Sequence, residues 1–256
     1  YVNRVFIMDA AQNLLPHYLR FVRGVVDSGD LPLNVSRELL QENELSGKIR
    51  SAVVRRSLDM IGKMARDEEQ YEAVWPPCGA VLKERGVEDF ANRERIAPLL
   101  RFASTKGDGD KHVVDLKTYI ERMPEGQDAI YYITAENYAA ASHSPHLELF
   151  RKKGVEVLLM SDRVDEWMMA YFNEFEGKPF KSVAKGDIDL GTIARDDAAE
   201  DEKPEQDASE SVDQNLLEKV KASLGDRVSD VRSSQRLTDS ASCLVLGDQE
   251  MALHLQ

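Results

Sequence analysis

Two apolar runs decide the fold of this chain: Ala129-Ile-Tyr-Tyr-Ile133 and Val155-Glu-Val-Leu-Leu-Met160. Both have the length and composition of strands, and the second is apolar enough to be buried on both faces. Between them, Ser144 can cap a helix that has Pro145 at its first position and Gly154 after its end. This order predicts an α/β protein with a parallel sheet, right-handed crossovers and helices on both faces.

Two further helices are predicted around this unit. Thr134 can cap a helix that runs through Ala141, and Asp162 can cap another over residues 163–174. The strand–helix alternation then continues to about residue 174, as expected for an αβα sandwich.

The sequence before this unit is predicted to be mostly helical. Apolar residues recur at a spacing of three and four over residues 42–64. A second helix over 68–75 is expected to end at Pro76-Pro77, because an interior proline removes a backbone hydrogen bond. Residues 2–8 and 20–27, rich in valine and phenylalanine, are predicted strands.

The chain is predicted to divide into four parts: a larger αβα sandwich with a connecting helical block over residues 1–104, a smaller parallel αβα sandwich over 105–186, an acidic linker or loop over 187–213, and the truncated start of an α+β C-terminal domain over 214–256. In the last part, the apolar pattern predicts a helix that ends at Leu224 and strands over 228–237 and 242–246.

Composition limits the classes of function. The net charge of −13 argues against nonspecific nucleic-acid binding, and eleven acidic but two basic side chains lie in 187–213. Cys78 and Cys243 are far apart and accompany no histidine cluster, which fits a reducing cytoplasm and predicts no metal site. No apolar run is long enough to predict a membrane span.

The loop over residues 28–41 presents one arginine after a stiff polar segment. Arg37 and Gln41 are four residues apart and fall on one face of a short helical turn. The planar guanidinium of Arg37 could donate two parallel hydrogen bonds to a phosphate that gains charge during transfer. From the residues alone, a surface arginine paired with Glu38 or Glu42 explains the same pattern.

Ordered motifs across about residues 1–190 resemble the middle domain of the heat-shock protein 90 chaperone family, as does the Arg37 loop. They are Tyr1-Val-Asn-Arg-Val-Phe-Ile-Met8, Tyr18-Leu-Arg-Phe-Val-Arg-Gly-Val-Val-Asp27, Leu99-Leu-Arg-Phe-Ala-Ser104, Ile130-Tyr-Tyr-Ile-Thr-Ala135, Ser144-Pro-His-Leu147, Gly154-Val-Glu-Val-Leu-Leu-Met160, Asp165-Glu-Trp-Met168 and Glu174-Phe-Glu-Gly-Lys178.

The resemblance implies an ATP-driven homodimer with three domains. ATP and Mg would be held in an N-terminal domain that precedes Tyr1, so we expect no cofactor and no ATPase activity in this part alone. Arg37 would contact the γ-phosphate of ATP, and Gln41 would help to hold that closed arrangement. The chain is then a middle domain with the start of a C-terminal domain, and its partners would be unfolded client proteins and the heat-shock protein 70 chaperone system.

Residues 163–174 carry more apolar surface than one buried stripe needs. Met168 and Tyr171 fall within the stripe, whereas Trp167 lies at its edge and Met169 lies outside it. Trp167 and Met169 can then stay partly exposed, and together with Met168 and Tyr171 they are candidates for a client-binding surface. A Trp167 buried in the core is the alternative.

Charged residues give two weaker predictions. Arg55 and Arg56 are candidates for contact with the heat-shock protein 70 chaperone, although an ordinary solvated helix face is the favoured explanation. The segment from Lys83 to Asp89 is predicted to be a solvated turn. Asp162, Asp165 and Glu166 are explained by the preference of carboxylates for the first turn of a helix.

Two other classes of function compete with the leading hypothesis. The chain could be a binding module for clients and co-chaperones in which Arg37 has no catalytic part. A small-molecule enzyme built on the αβα unit is a third possibility, but Thr134-Ala-Glu-Asn137 lacks the glycine pattern of a nucleotide-binding fold.

Overall fold

The computed structural model describes residues 1–7, 14–30, 44–186, 188, 190, 193, 214–234, 236–247 and 250, with the side chains of residues 85 and 87 left undescribed. Its centre is one five-stranded sheet with the strand order β1-β3-β2-β5-β4. The strands are β1 (Ala103–Ser104), β2 (Ile130–Thr134), β3 (Leu158–Met160), β4 (Glu174–Phe175) and β5 (Lys178–Ser182).

The central strands are parallel, as predicted. β2 pairs in parallel with β3 on one side and with β5 on the other, whereas β1 and β4 add antiparallel pairs at the two edges. β3 is shorter than the predicted strand, although residues 155–157 before it are also buried. The α/β class is confirmed.

The described helices are α1 (Glu44–Met64), α2 (Glu68–Arg85), α3 (Arg93–Ile96), α4 (Leu116–Glu121), α5 (Tyr138–Ser142), α6 (Glu148–Lys152), α7 (Asp165–Tyr171) and α8 (Gln214–Leu224). Short 3-10 turns lie at 17–19, 86–88, 97–99, 145–147 and 225–227. None of the helices in the described ranges is long and apolar enough to cross a membrane.

The predicted end of a helix at Pro76-Pro77 is wrong, because α2 continues through both prolines to Arg85. Both prolines lie on the solvent side of α2, so water can bond the carbonyls that lose their donors. On the opposite side, Tyr71, Trp75 and Leu82 are buried in the core. Their packing outweighs the cost of the prolines.

The two faces of the sheet have separate apolar cores. Ile130 and Tyr132 of β2 pack in one core with residues of α1, α2 and α7, while Tyr131 and Ile133 pack in the other with residues of α5 and α6. This alternation is the period of a strand that is covered on both faces. The division into a larger and a smaller sandwich and the four domain boundaries stay predictions.

The caps follow the predictions only in part. Ser144 caps the turn that starts at Pro145, and Gly154 follows α6 with a φ of 68°, as expected. α5 is capped by Asn137 and not by Thr134, because the Asn137 side chain accepts the N–H of Ala140. Helix α7 begins at Asp165, so the prediction that Asp162 caps a helix from residue 163 is wrong.

The strands predicted near the N-terminus are wrong within the described residues. Val2 bonds Val5 across Asn3 and Arg4, whose φ angles of 50° and 65° reverse the chain. Residues 20–27 form no strand ladder, although the backbone nitrogen of Tyr1 donates to the Val26 carbonyl at 2.8 Å.

The C-terminal helix is confirmed, but the strands predicted after it are not formed by the described residues of 228–237 and 242–246. The buried Arg236 instead donates to the carbonyls of Val183 and Gly186, and Leu246 forms an isolated bridge with Lys185. Side-chain hydrogen bonds thus hold this segment where a strand ladder was expected. The predicted acidic linker over 187–213 lies outside the described residues except at 188, 190 and 193.

Candidate functional site

Helix α7 presents aromatic residues to solvent. Trp167 is 59% exposed and Tyr171 is 49% exposed, whereas Met168 and Met169 are buried. Of the two positions considered for Trp167, the exposed one is therefore observed and the core one is wrong. The exposure predicted for Met169 is also wrong, because α7 is packed from two sides, by α2 and by the sheet, and so buries more than one stripe.

A cavity of about 620 Å³ opens beside α7. Its apolar walls include Tyr132, Trp167, Met169, Phe172 and Phe180. Its polar side is formed by Glu166, Asn173, Lys181, Ser182, Lys185 and Glu250. The rings of Phe172 and Phe180 are 4.9 Å apart and connect α7 to β5.

Two charged groups of the cavity wall, Lys185 and Glu166, pair with each other. The Nζ atom of Lys185 lies 3.1 Å from Oε1 of Glu166, and the Thr134 hydroxyl donates to Oε2 of Glu166 at 2.7 Å. Both members of the Lys185–Glu166 pair are mostly buried. A ligand in this cavity would therefore meet apolar side chains beside a neutralised pair, and also the charged side chains of Lys181 and Glu250.

The first turn of α7 is fixed by a buried lysine. Lys83 of α2 is completely buried, and its Nζ atom lies 2.7 Å from Oδ2 of Asp162 and 2.9 Å from Oδ1 of Asp165. The Lys83 ammonium also lies 4.6 Å from the centre of the Phe102 ring. The prediction that Lys83 belongs to a solvated turn is wrong, because α2 extends past its prolines and carries Lys83 beneath α7.

Electrostatics favour the charged form of this lysine. Burial lowers the pKa of Lys83, but the charges of Asp165 and Asp162 and their hydrogen bonds outweigh it and leave the pKa raised. For Asp162, burial acts to raise the pKa, and the attraction of Lys83 overcomes this effect and lowers it. For Asp165, burial outweighs the attraction of Lys83 and leaves the pKa raised. The charged pair is therefore mainly Lys83 with Asp162, while Asp165 adds a buried contact between α2 and the first turn of α7.

The predicted partner residues Arg55 and Arg56 are exposed on α1. The guanidinium of Arg95 donates to the carbonyl of Arg55 at 3.1 Å and to the carboxylate of Asp59 at 2.6 Å. This geometry anchors α1 to α3 and leaves both arginine side chains at the surface. It fits a partner site and a solvated helix face equally well.

Arg37 and Gln41 lie outside the described residues, so their roles in ATP hydrolysis stay predictions. Helix α1 begins shortly after them, at Glu44. Within the described parts of the chain, no group of three or more His, Cys, Asp or Glu side chains is placed to hold a metal ion.

The sequence analysis predicted neither the buried contacts of Lys83 nor the cavity beside α7. Neither had a local signal, because Lys83 meets its partners from 79 residues away and the cavity walls come from β2, α7 and β5. The exposure of Trp167 had such a signal, since that residue falls at the edge of the apolar stripe.

Comparison with known proteins identifies the family to which this chain belongs. A model described as "Hsp90 protein" matches residues 1–256, and the chain therefore belongs to the Hsp90 family of chaperones. The family inferred from the motifs is thus confirmed.

Two relatives are each called "Chaperone protein HtpG". The one from Alkalilimnicola ehrlichii is 58% identical over the whole of this chain, which covers 39% of that relative. The one from Pasteurella multocida is 53% identical, again over the whole chain, which covers 40% of it. The chain thus spans about two fifths of the length of these relatives.

Proposed function

We propose that this chain is the middle segment of an ATP-dependent molecular chaperone, with the start of its C-terminal domain. The segment couples ATP hydrolysis in an N-terminal domain to the binding and remodelling of unfolded client proteins. The observation that carries the client-binding part is the exposure of Trp167 beside a large cavity whose walls are partly apolar and partly polar. Exposed apolar patches rimmed by polar groups are typical of interaction sites.

The four predicted client residues have different parts in this proposal. Trp167 and Tyr171 contact the client directly, because their rings face solvent. Met169 lines the cavity and offers a flexible thioether to whatever side chain enters it. Met168 is 1% exposed and supports the helix from the core side.

The catalytic part of the proposal rests on family membership and on the loop sequence. Arg37 stabilises the γ-phosphate of ATP from outside the nucleotide-holding domain, in the manner of an arginine finger. Gln41 braces that loop. ATP and Mg belong to the N-terminal domain, and this segment supplies no cofactor of its own.

The proposed setting follows the family. The complete chaperone is a cytoplasmic homodimer that works with the heat-shock protein 70 system, which contacts Arg55 and Arg56. The exposure of both arginines supports such a contact. The strongly negative net charge disfavours nucleic acid as a partner.

A second candidate is a client and co-chaperone binding module with no catalytic part. The aromatic surface on α7 favours it, because that surface is complete without a nucleotide. Arg37→Ala in the full-length protein distinguishes the two candidates. Loss of ATP turnover with retained ATP binding supports the coupling segment, and unchanged turnover supports the binding module.

Client binding is tested by titrating a fluorescently labelled unfolded protein against this chain and its Trp167→Ala variant. We expect the variant to bind roughly tenfold more weakly, because an indole that becomes buried on binding contributes about 1.5 kcal/mol or more. Val25→Ala serves as the control, since Val25 is 75% exposed and lies outside the α7 surface. Equal affinity of the Trp167→Ala variant and the control would reject the site.

A further inference from the structure

A second cavity lies between helices α1 and α2 and the segment that follows the 3-10 turn at 17–19. Its volume is about 240 Å³, and it shares no described lining residue with the cavity beside α7. An apolar cavity of about 150 Å³ is large enough to hold benzene, so a single ring or a short branched chain fits here. The cavity is therefore a candidate site for a small ligand, separate from the proposed client surface.

One wall of this cavity is fixed by the indole of Trp75. A Cβ atom at Gly79, one turn further along α2, would lie only 2.4 Å from Cε2 of that indole, so a side chain at position 79 would displace the ring. The indole N–H donates to Nδ1 of His112 at 3.3 Å, and the centre of the Tyr71 ring lies 5.9 Å from that of Trp75. The wall is thus formed before a ligand arrives, which lowers the entropy lost on binding.

Two methionines of α1 add a flexible part to the lining. Met60 and Met64 both line the cavity, and their thioethers can adjust to rings of different outline and make favourable contacts with the ring edges. Met60 is 50% exposed, so it can move without disturbing the core. The cavity therefore combines a fixed aromatic wall with an adjustable one.

The polar groups of the lining favour an anion. The Tyr71 hydroxyl donates to the Leu99 carbonyl at 2.8 Å, and the Trp75 N–H is already bonded to His112, so neither is left for a ligand. Arg23 is the one charged residue among the described residues that line the cavity, and it is exposed. An anionic group on the ligand could thus pair with Arg23 while it stays in contact with water.

The guanidinium of Arg23 is available because the neighbouring carboxylates have other partners. None of the ion pairs between described residues includes Arg23. Asp27, the carboxylate nearest to it in the sequence, accepts the backbone N–H of Arg4 at 3.1 Å. On α2, Glu84 pairs with Arg20.

We propose that the cavity between α1 and α2 binds a small organic monoanion, with an apolar ring or short branched chain in the cavity and a carboxylate on Arg23. The planar guanidinium can donate two parallel hydrogen bonds to such a carboxylate. A ligand held in this way contacts α1, α2 and residues 21–23 together. It should therefore stabilise the folded chain, because it binds a site that the unfolded chain lacks.

The test compares three ligands that share one ring: phenylpropionate, its neutral amide phenylpropanamide and the cation phenylpropylamine. The chain has two tryptophans, so a Trp167→Phe chain leaves Trp75 as the fluorescent reporter of the cavity wall. We expect phenylpropionate to bind about fivefold more tightly than the amide, the most that an exposed ion pair usually contributes. The cation should bind most weakly, and high salt should reduce these differences.

Protection of Cys78 gives a second readout. Cys78 lines the cavity, and burial raises the pKa of its thiol, so it stays neutral beside an anion. In a Cys243→Ser chain, saturating phenylpropionate should slow the labelling of Cys78 by N-ethylmaleimide at least threefold. The midpoint of this protection should agree with the Kd from Trp75 fluorescence.

Substitutions assign the binding to the cavity and to the guanidinium. Cys78→Phe fills the cavity and should weaken all three ligands at least tenfold, and Cys78→Met is the milder filling change. Cys78→Ser keeps the size of the side chain and should leave Kd within twofold. Arg23→Gln should make the carboxylate and the amide equal in affinity, whereas Arg23→Lys should retain a preference. Arg163→Gln is the matched control, since Arg163 is exposed and does not line the cavity.

Three results would overturn the inference. The first is that no ligand binds at millimolar concentration, and the second is that the amide binds the unmodified chain as tightly as the carboxylate. The third is full affinity in both Cys78→Phe and Cys78→Met, which would place the ligand elsewhere. Circular dichroism of each variant shows whether the fold is kept. Client titration is a separate measurement, so rejection of the α7 client site would leave this inference standing.

Discussion

The residues on the two sides of helix α7 have different roles. On the inner side, Asp165 is completely buried and bonded to an equally buried lysine from α2. On the outer side, Trp167 and Tyr171 expose about half of their surface to solvent. The inner contacts fix where the helix lies, and this fixed position lets the outer rings stay exposed without collapsing onto the sheet.

This difference shows that one set of residues can stabilise a short helix while a separate set provides its binding surface. Helix α7 has seven residues, too few to be stable by propensity alone. Its position depends on the ion pair at its first turn and on the packing of Met168, Met169 and Phe172. Substitutions on the inner side should therefore lower stability more than client binding. Substitutions on the outer side should lower client binding more than stability.

The largest effect is expected from Lys83→Ala. Removing one partner of a buried ion pair leaves the two carboxylates without their cation, which typically costs about 3–5 kcal/mol in the free energy of unfolding. Urea denaturation followed by circular dichroism measures this loss. Trp167→Ala is the matched comparison on the outer side and should change the unfolding free energy by ~0.5 kcal/mol or less. Similar losses in the two variants would remove the distinction between the sides.

A smaller effect is expected from Met169→Ala. Met169 is 8% exposed and lines the cavity, so its truncation should cost about 2–3 kcal/mol through lost packing. The same change enlarges the cavity without touching the exposed rings, so client affinity should fall less than in Trp167→Ala. Thermal unfolding and client titration of the two variants give the required pair of measurements. A Met169→Ala variant of unchanged stability would show that this side chain is not held as described.

The sequence predicted what depends on local pattern and missed what depends on distant partners. The parallel pair of β2 and β3, the long helix α1 and the cap at Ser144 follow from periodicity and turn chemistry, and all three are confirmed. The end of α2 was predicted wrongly because the hydrogen bonds that its prolines remove are visible in the local sequence. The packing of Trp75, which compensates for them, depends on residues elsewhere in the chain. No spacing rule connects Lys83 with Asp162 or Asp165.

The residues of the candidate site also separate into those with a local sequence signal and those whose position depends on distant partners. The position of Trp167 at the edge of the stripe predicted its exposure, whereas Met169 was misplaced because the second packing surface on α7 comes from elsewhere in the chain. The hydrogen bond from Arg93 to the Tyr171 carbonyl at the end of α7 was not predicted either, since it joins residues 78 apart. Long-range contacts of this kind become visible only in the folded structure.

The smallest effect concerns a carboxylate held by neutral donors, in contrast to the Lys83 ion pair. Glu148 accepts hydrogen bonds from the backbone N–H groups of Thr238, Asp239 and Ser240 and from the Ser240 hydroxyl. The hydroxyl bond and these backbone bonds lower the pKa of Glu148 to about 2. Because the folded pKa is depressed, the contribution of Glu148 is present above its ordinary pKa of 4.5 and is lost as the pH falls towards about 2.

A carboxyl carbon titration by NMR measures this pKa directly. Glu148 should titrate near 2 in the unmodified chain, and Ser240→Ala should raise its pKa towards the ordinary value, since the hydroxyl makes the largest contribution. Ser142→Ala is the control, because the Ser142 hydroxyl donates to the Ala139 carbonyl and not to Glu148. A Glu148 that titrates near 4.5 before any substitution would show that residues 238–240 do not hold it. In that case Glu148 would have no fixed hydrogen-bond donors. It would then differ from the carboxylates beside Lys83, which have a fixed partner.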